Sequence, residues 1–489
     1  MKKDKVINKI KEIVKDKRLY IFLSITLIFF GIFIIKNYTV DTYSYDFEAK
    51  PGKQLATLGR LISAAFIFVF SKINVDFMYI VSFLLAIITT TLSMYKLNEI
   101  LKRNIKNEVI TVLISVLVII NFDTLELFMF IEKGIMMLSV LLTVLAIGHL
   151  DNALKGDKRA WITILIEMFL ANCCYQGTVG LFVAVGVIYI IKNSKNIIEF
   201  IKNNIIVCLL YAIPAFVDLL IVKFIFNNDR IENSVGLKEK LLHVIKTTQD
   251  ILTTTFDILP KYFYLTILII IIALFIISLI KNKEKASKII LNILGLIYII
   301  AAVLVSAMAP QIIAGDVYIV PRNVYCFGAL IPIVLIFMYR EVKVDKISNI
   351  IVVLLQIVLA VSLYYNFSDI IIDNYYTNKK DLELANQIAE LIENYETSTN
   401  NKITKIATYI NADKTQYENT RYIGDANTRA FYTEWSSIGI LERTLNRPLE
   451  HVHKDLEIEE KFKEENWEDY EFNENQLIFE GDTLHLCTK

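Results

Sequence analysis

The chain has 489 residues, 55% of them hydrophobic, with 51 Lys+Arg balanced by 51 Asp+Glu and a mean hydropathy of +0.49. Hydropathy this far above the soluble norm marks an integral membrane protein, and the even charge balance gives none of the basic excess of a nucleic-acid binder, so no nucleic-acid partner is expected. The five cysteines (Cys173, Cys174, Cys208, Cys326, Cys487) show no C-x-x-C spacing and suggest neither a disulfide framework nor a zinc site.

The lysine-rich leader MKKDKVINKIKEIVKDKRLY runs into an apolar stretch, Tyr20 to Ile35, with no small-residue cleavage site behind it, so this stretch is expected to remain as a first transmembrane helix. A helix crosses the hydrocarbon core with about 20 apolar residues, fewer when its ends snorkel. On that rule the chain is expected to be an all-α polytopic membrane protein of about eleven spans, near 19–36, 76–96, 109–122, 134–150, 160–174, 177–192, 204–226, 261–280, 289–309, 323–340 and 349–370. The leader, Lys96/Lys102/Arg103/Lys106, Lys155/Lys158/Arg159, Lys192/Lys195/Lys202, Lys281/Lys283/Lys285/Lys288 and Arg340/Lys343/Lys346 then share one side, which the positive-inside rule makes the cytoplasm. The alternation requires that LGRLISAAFIFVFSKI, residues 58–73, not cross; a juxtamembrane or re-entrant helix at the outer surface is expected there. From Asn374 the composition turns polar. Residues 1–373 are therefore expected to form the polytopic domain and 374–489 a small extracytoplasmic α/β domain, with a helix in KKDLELANQIAELIENYE, a strand in KITKIATYI and a strand-turn-strand in QLIFEGDTLHLC.

Polar residues gathered at one membrane face suggest a cavity closed from below by the bundle. The first outer loop, residues 37–75, carries Asp41, Asp46 and Glu48, interleaved with Tyr43, Tyr45 and Phe47. A solvated connector would account for them, but the alternation puts acids and aromatics on different sides of an extended segment, and a partly buried carboxylate is a usable general base. Glu132-Lys133 at the mouth of a span reads either as a snorkelling pair or as cavity lining. Tyr175 and Gln176, with Asn172, join two apolar runs and can either pack a tight hairpin or bind sugar hydroxyls. Arg322 can fork onto a phosphate or anchor a helix at the interface. Glu167 and Asp218 lie inside spans, where ionisable groups are costly. The chain contains no P-loop, no G-x-G-x-x-G behind a strand, no G-x-S-x-G, no H-E-x-x-H and no Asp-x-Asp.

The order of an acidic first outer loop ending in Gly59-Arg60, then Glu132-Lys133-Gly134, Tyr175-Gln176-Gly177, Pro321-Arg322 and an outer α/β tail resembles the O-antigen glucosyltransferase type II family. The resemblance implies a class C glycosyltransferase architecture in a bacterial cytoplasmic membrane, N-terminus inside, with an undecaprenyl-phosphate sugar as donor and transfer outside. It implies Asp41 as the acidic position of the first loop, Arg60 as the loop arginine, Tyr175 and Gln176 as the hairpin pair and Arg322 as the late basic residue. Together with the reading of the residues above, Asp41 and Asp46 are the expected catalytic acids, and Glu48, Arg60, Glu132, Lys133, Tyr175, Gln176 and Arg322 the expected substrate ligands. No cofactor is expected, with a metal left open. The Ile-, Lys- and Asn-rich usage is that of a low-GC bacterium, so a polysaccharide or a teichoic-acid-like polymer are both acceptor candidates. A donor-synthesising glycosyltransferase and a flippase are the expected protein partners. Two other readings remain at this point: a transporter or flippase of lipid-linked sugars coupled through Glu167 and Asp218, and a non-catalytic assembly protein.

Overall fold

The computed structural model describes residues 11–47, 50–226, 236–283, 285–313, 317–410, 421, 423–425, 427–464 and 472–488. In chain order the helices are α1 (Lys17–Phe30), α2 (Val40–Tyr43), α3 (Lys53–Thr57), α4 (Leu61–Ser71), α5 (Val75–Leu101), α6 (Glu108–Ile119), α7 (Thr124–Met129), α8 (Lys133–Leu154), α9 (Lys158–Cys174), α10 (Gly180–Asn193), α11 (Ile197–Phe226), α12 (Leu237–Thr254), α13 (Phe263–Lys281), α14 (Ala286–Ile313), α15 (Leu330–Glu341), α16 (Lys346–Thr399), α17 (Glu434–Leu445) and α18 (Leu456–Glu464). Side chains of Asp16, Asn74, Asn107, Asp157 and Asp345 accept from the first-turn N–H groups behind them, which sets where five of these helices begin.

Each expected span coincides with a helix, and the molecule is an all-α polytopic membrane protein with a small α/β domain. Eight helices among the described residues are long and apolar enough to cross a bilayer. The other three expected spans correspond to shorter helices: α6 and α15 have 12 residues each and α9 has 17. Helix α4, within residues 58–73, has 11 residues, about 16 Å of rise, too little to cross. Its Ser63 hydroxyl donates to the Cys174 carbonyl at 2.8 Å, which tucks α4 against the end of α9.

Helices α6 and α15 are short because both chains leave helical geometry inside the protein. Irregular backbone inside a bundle requires local partners, and the two unwound stretches supply them to each other with help from α13. Asp123 accepts from the Gly328 N–H at 2.8 Å, Tyr325 donates to the Ile119 carbonyl at 2.8 Å, and Tyr264 donates to the Gly328 carbonyl at 3.0 Å. The consequence for the site is positional: the same breaks carry Glu126 on α7 and Arg322 in the 3-10 turn Pro321–Val324 to one place.

Helix α16 has 54 residues and runs unbroken through the composition change at 374. It leads to a four-stranded sheet in the order β2 (Glu450–His451), β1 (Lys405–Ile410), β4 (Thr483–Thr488), β3 (Leu477–Glu480), parallel except for the β3–β4 hairpin, which turns through Gly481 at φ +60°. This domain has no separate core of its own on its inner side. Tyr43, Ile67, Met78 and Ile135 are buried in one apolar cluster with Ile388, Ile406, Phe431, Ile440 and Leu484. Helix α17 lies on α2 and the turn behind it: an added Cβ at Gly439 would stand 2.5 Å from the Tyr43 carbonyl oxygen, so only glycine permits this approach.

Candidate active site

Asp41 sits in the first turn of α2, half-buried, where Arg322, Asp425, Trp435 and Arg60 surround its carboxyl. Burial raises its pKa above the usual carboxylate range; the positive charge of Arg322 opposes this most strongly, and the negative charge of Asp425 adds to it. A carboxyl held this way binds a proton more readily than a solvated aspartate, as a general base should.

Arg322 is already engaged. Its guanidinium bridges Glu126 and Asp425, and its own backbone N–H donates to Glu126 Oε2 at 2.8 Å. Glu126 is 1% exposed and also accepts from the Asp425 N–H at 2.9 Å, so one buried carboxylate ties α7, the Pro321–Val324 turn and the C-terminal domain together. The backbone passes Glu126 through Gly424, at φ +56°, where a Cβ would lie 2.6 Å from Glu126 Oε1. Phe130 covers the guanidinium at 4.5 Å.

Arg60 differs. It makes no ion pair among the described residues; its guanidinium lies 4.5 Å above the Tyr175 ring, and its Nε donates weakly to Gln176 at 3.4 Å. Tyr175 is fully buried and donates to Asn323 Oδ1 at 2.8 Å, next to Arg322 in sequence. Gln176 donates to the Leu58 carbonyl at 3.0 Å and to Asp218 at 3.1 Å, so its amide is occupied in tying the Gly59-Arg60 turn to α11. Glu132 is buried at the start of α8, within the field of Asp41, Arg60 and Arg322, with one carboxylate oxygen lacking a hydrogen-bond partner among the described residues.

Asp41, Arg60, Glu132, Tyr175, Gln176 and Arg322 thus converge, while three other expected site residues do not join them. Lys133 turns away: its ammonium lies 3.7 Å over the Tyr79 ring and 5.7 Å from that of Phe33, inside an aromatic pocket. Asp46 is bound by Arg443 at 2.5 Å, and Arg443 also holds Asp76 at 2.9 Å, so Asp46 belongs to the joint between loop and C-terminal domain. Glu48 lies outside the described residues. Sequence reasoning missed Asp425 and Trp435 as members of the site; Glu126, an acid inside the apolar run TLELFM, is visible in the sequence beside Glu132 but carries no mark of its tie to Arg322. Among the described residues, no three His, Cys, Asp or Glu side chains group as a candidate metal cage.

The family model described as glucosyl transferase GtrII matches residues 29–339, which include every converging site residue except the two from the C-terminal domain. Searches of curated proteins and of solved structures found no match.

Proposed function

Since the chain belongs to the glucosyl transferase GtrII family, we propose that this membrane glycosyltransferase moves a hexose, glucose foremost, from an undecaprenyl-phosphate sugar to a hydroxyl of an envelope polysaccharide or wall polymer at the outer face of the cytoplasmic membrane. The observation that carries this reading is Asp41, with a raised affinity for protons, beside an arginine, Arg60, that has no carboxylate partner among the described residues. In the reaction Asp41 removes the acceptor hydroxyl proton, the oxygen forms a bond to the anomeric carbon, and the bond from that carbon to the phosphate oxygen breaks. The leaving polyprenyl phosphate takes the bonding electrons as negative charge, which Arg60 stabilises, held over the Tyr175 ring. Arg322, saturated by Glu126 and Asp425, acts through its field on Asp41 and holds the site together. Asp46 serves the joint with Arg443 and leaves the chemistry to Asp41. The coupling groups of a transporter are engaged in other ways, Asp218 by Gln176 and Glu167 facing His149 at 3.8 Å.

The test is transfer by the purified chain in lipid nanodiscs. Label from radiolabelled undecaprenyl-phosphate glucose should pass to envelope polymer without any nucleotide sugar. Turnover of a nucleotide sugar in place of the lipid donor would contradict the reading. A reporter fused after Lys489 checks the orientation; activity of a cytoplasm-only reporter there would overturn it, and the fusion is the better probe because Cys487 is 3% exposed and shielded from thiol reagents.

A further inference from the structure

Helix α17 presents one face to the first outer loop in a fixed register. Trp435, Gly439 and Arg443 recur every four residues, so they stand above one another on that face. Arg443 meets Asp46, Gly439 meets the backbone of Tyr43 and Ser44, and Trp435 meets Asp41. The loop and the helix are therefore aligned residue against residue, and the two lower contacts hold the upper one in place. Yet Trp435 is 54% exposed. A large aromatic side chain left open to solvent where the C-terminal domain reaches Asp41 calls for an occupant. In the same cluster Tyr318 is 49% exposed, its hydroxyl donating to Asp425.

We propose that Trp435 is the stacking platform of an acceptor subsite, where a pyranose ring of the acceptor glycan lies on the indole and turns its hydroxyl toward Asp41. This rests on the glycosyltransferase reading and adds to it the side from which the acceptor enters. The chemistry fits a sugar: the C–H bonds on one face of a pyranose carry partial positive charge and match the negative face of the indole, while its hydroxyls can reach the carboxylates beside it. A flat, rigid side chain gives contact area at little cost in rotamer freedom. The alternative for an exposed tryptophan in a membrane protein is an anchor at the lipid interface; the neighbouring Asp41, Asp425 and Arg322 charges favour the saccharide. The family match ends at residue 339. Acceptor recognition by Trp435 would thus reside in a segment outside the part of the chain that carries Arg60 and Asp41.

Full-length Trp435→Ala and Trp435→Phe in nanodiscs, supplied with undecaprenyl-phosphate glucose and purified envelope polysaccharide, provide the kinetic test. For the Ala variant the acceptor KM should rise about tenfold, equivalent to about 1.4 kcal/mol, while donor KM stays within about twofold; the slow hydrolysis of donor by water, which reports what Asp41 loses with its Trp435 contact, should fall by less than transfer does. The Phe variant should fall between. Equal loss of hydrolysis and transfer would mean that Trp435 only supports Asp41, and the proposal would be wrong. A binding test is independent of turnover. In a Trp161→Phe, Trp467→Phe background the emission of Trp435 should change on adding the polysaccharide. No change with polysaccharide, together with quenching by brominated lipid, identifies a bilayer anchor and overturns the subsite. Absence of any transfer by the parental protein, with the emission change intact, would refute the enzyme reading and leave the glycan site standing.

Discussion

Replacing Asp41 by asparagine separates chemistry from folding. Asparagine keeps the size and an acceptor oxygen for the Trp435 contact but cannot take up a proton, and loss of a general base costs about 10²- to 10⁴-fold in rate, about 2.7–5.4 kcal/mol of transition-state stabilisation. Stability should move the other way. The folded-state pKa of Asp41 is raised, so its ionisation opposes folding once the pH exceeds the ordinary aspartate value, and this penalty grows until the folded pKa is passed. A neutral amide avoids it. At neutral pH Asp41→Asn is therefore expected to melt at or above the parental temperature, and below the ordinary aspartate pKa the two should melt alike. The partner experiment is Asp46→Asn, which removes a partly exposed ion pair while Arg443 retains Asp76. It should lower stability by about 1 kcal/mol and Tm by about 1–3 °C with the rate per folded molecule preserved. Single-turnover transfer from radiolabelled donor and differential scanning fluorimetry in the same nanodiscs give both readouts. Transfer by Asp41→Asn within a few-fold of the parental rate would refute the assignment of the base.

Three further outcomes are expected. Arg60→Ala should raise donor KM by about 10- to 100-fold, the worth of a charge-assisted hydrogen bond to phosphate, whereas Arg322→Lys, which loses the fork between Glu126 and Asp425, should lower Tm and the amount of folded protein; the reverse pattern in donor titrations would exchange their roles. Asp425→Asn removes a negative charge that raises the pKa of Asp41, so the acidic limb of the pH–rate profile should move to lower pH; an upward move would show that another group titrates there. Gly439→Ala forces a methyl group against the Tyr43 carbonyl and should cost about 1–3 kcal/mol by lifting α17 from the loop, measured as lower Tm together with weaker acceptor use; an unchanged protein would mean the approach is not tight.

The helices were legible because apolar runs are local: each expected span lies on a helix. Their interruptions were not. Nothing in NFDTLEL or YCFGALI shows that Asp123, Tyr325 and Tyr264 will satisfy the backbone where α6 and α15 unwind, since the partners of each stretch lie in the other or on α13. The same division runs through the site. Asp41, Arg60, Glu132, Tyr175 and Arg322 stand out in sequence because charge or hydrogen-bonding capacity is conspicuous beside apolar spans. Lys133 stood out for the same reason but is turned into an aromatic pocket, because one helical residue beyond Glu132 points about 100° away. Asp46 and Asp41 read alike in sequence; a distant arginine on α17 distinguishes them. Asp425 and Trp435 belong to a polar segment whose composition says only that it meets water, and their place beside Asp41 depends on how α16 delivers that segment.

Helix α16 acts as a ruler. Its 54 residues rise about 81 Å, against about 30 Å of hydrocarbon, so a single rod joins lipid to the sheet with no hinge between. A rod of this kind fixes angle together with height. One inserted residue would raise everything above it by only about 1.5 Å but swing it by about 100°, enough to carry Trp435 and Asp425 away from their partners, while whole turns would preserve direction and change the reach. The distance from membrane to sheet can therefore change only in steps of helical pitch, and each step must be matched by the loop that Asp46, Tyr43 and Asp41 keep in register with α17.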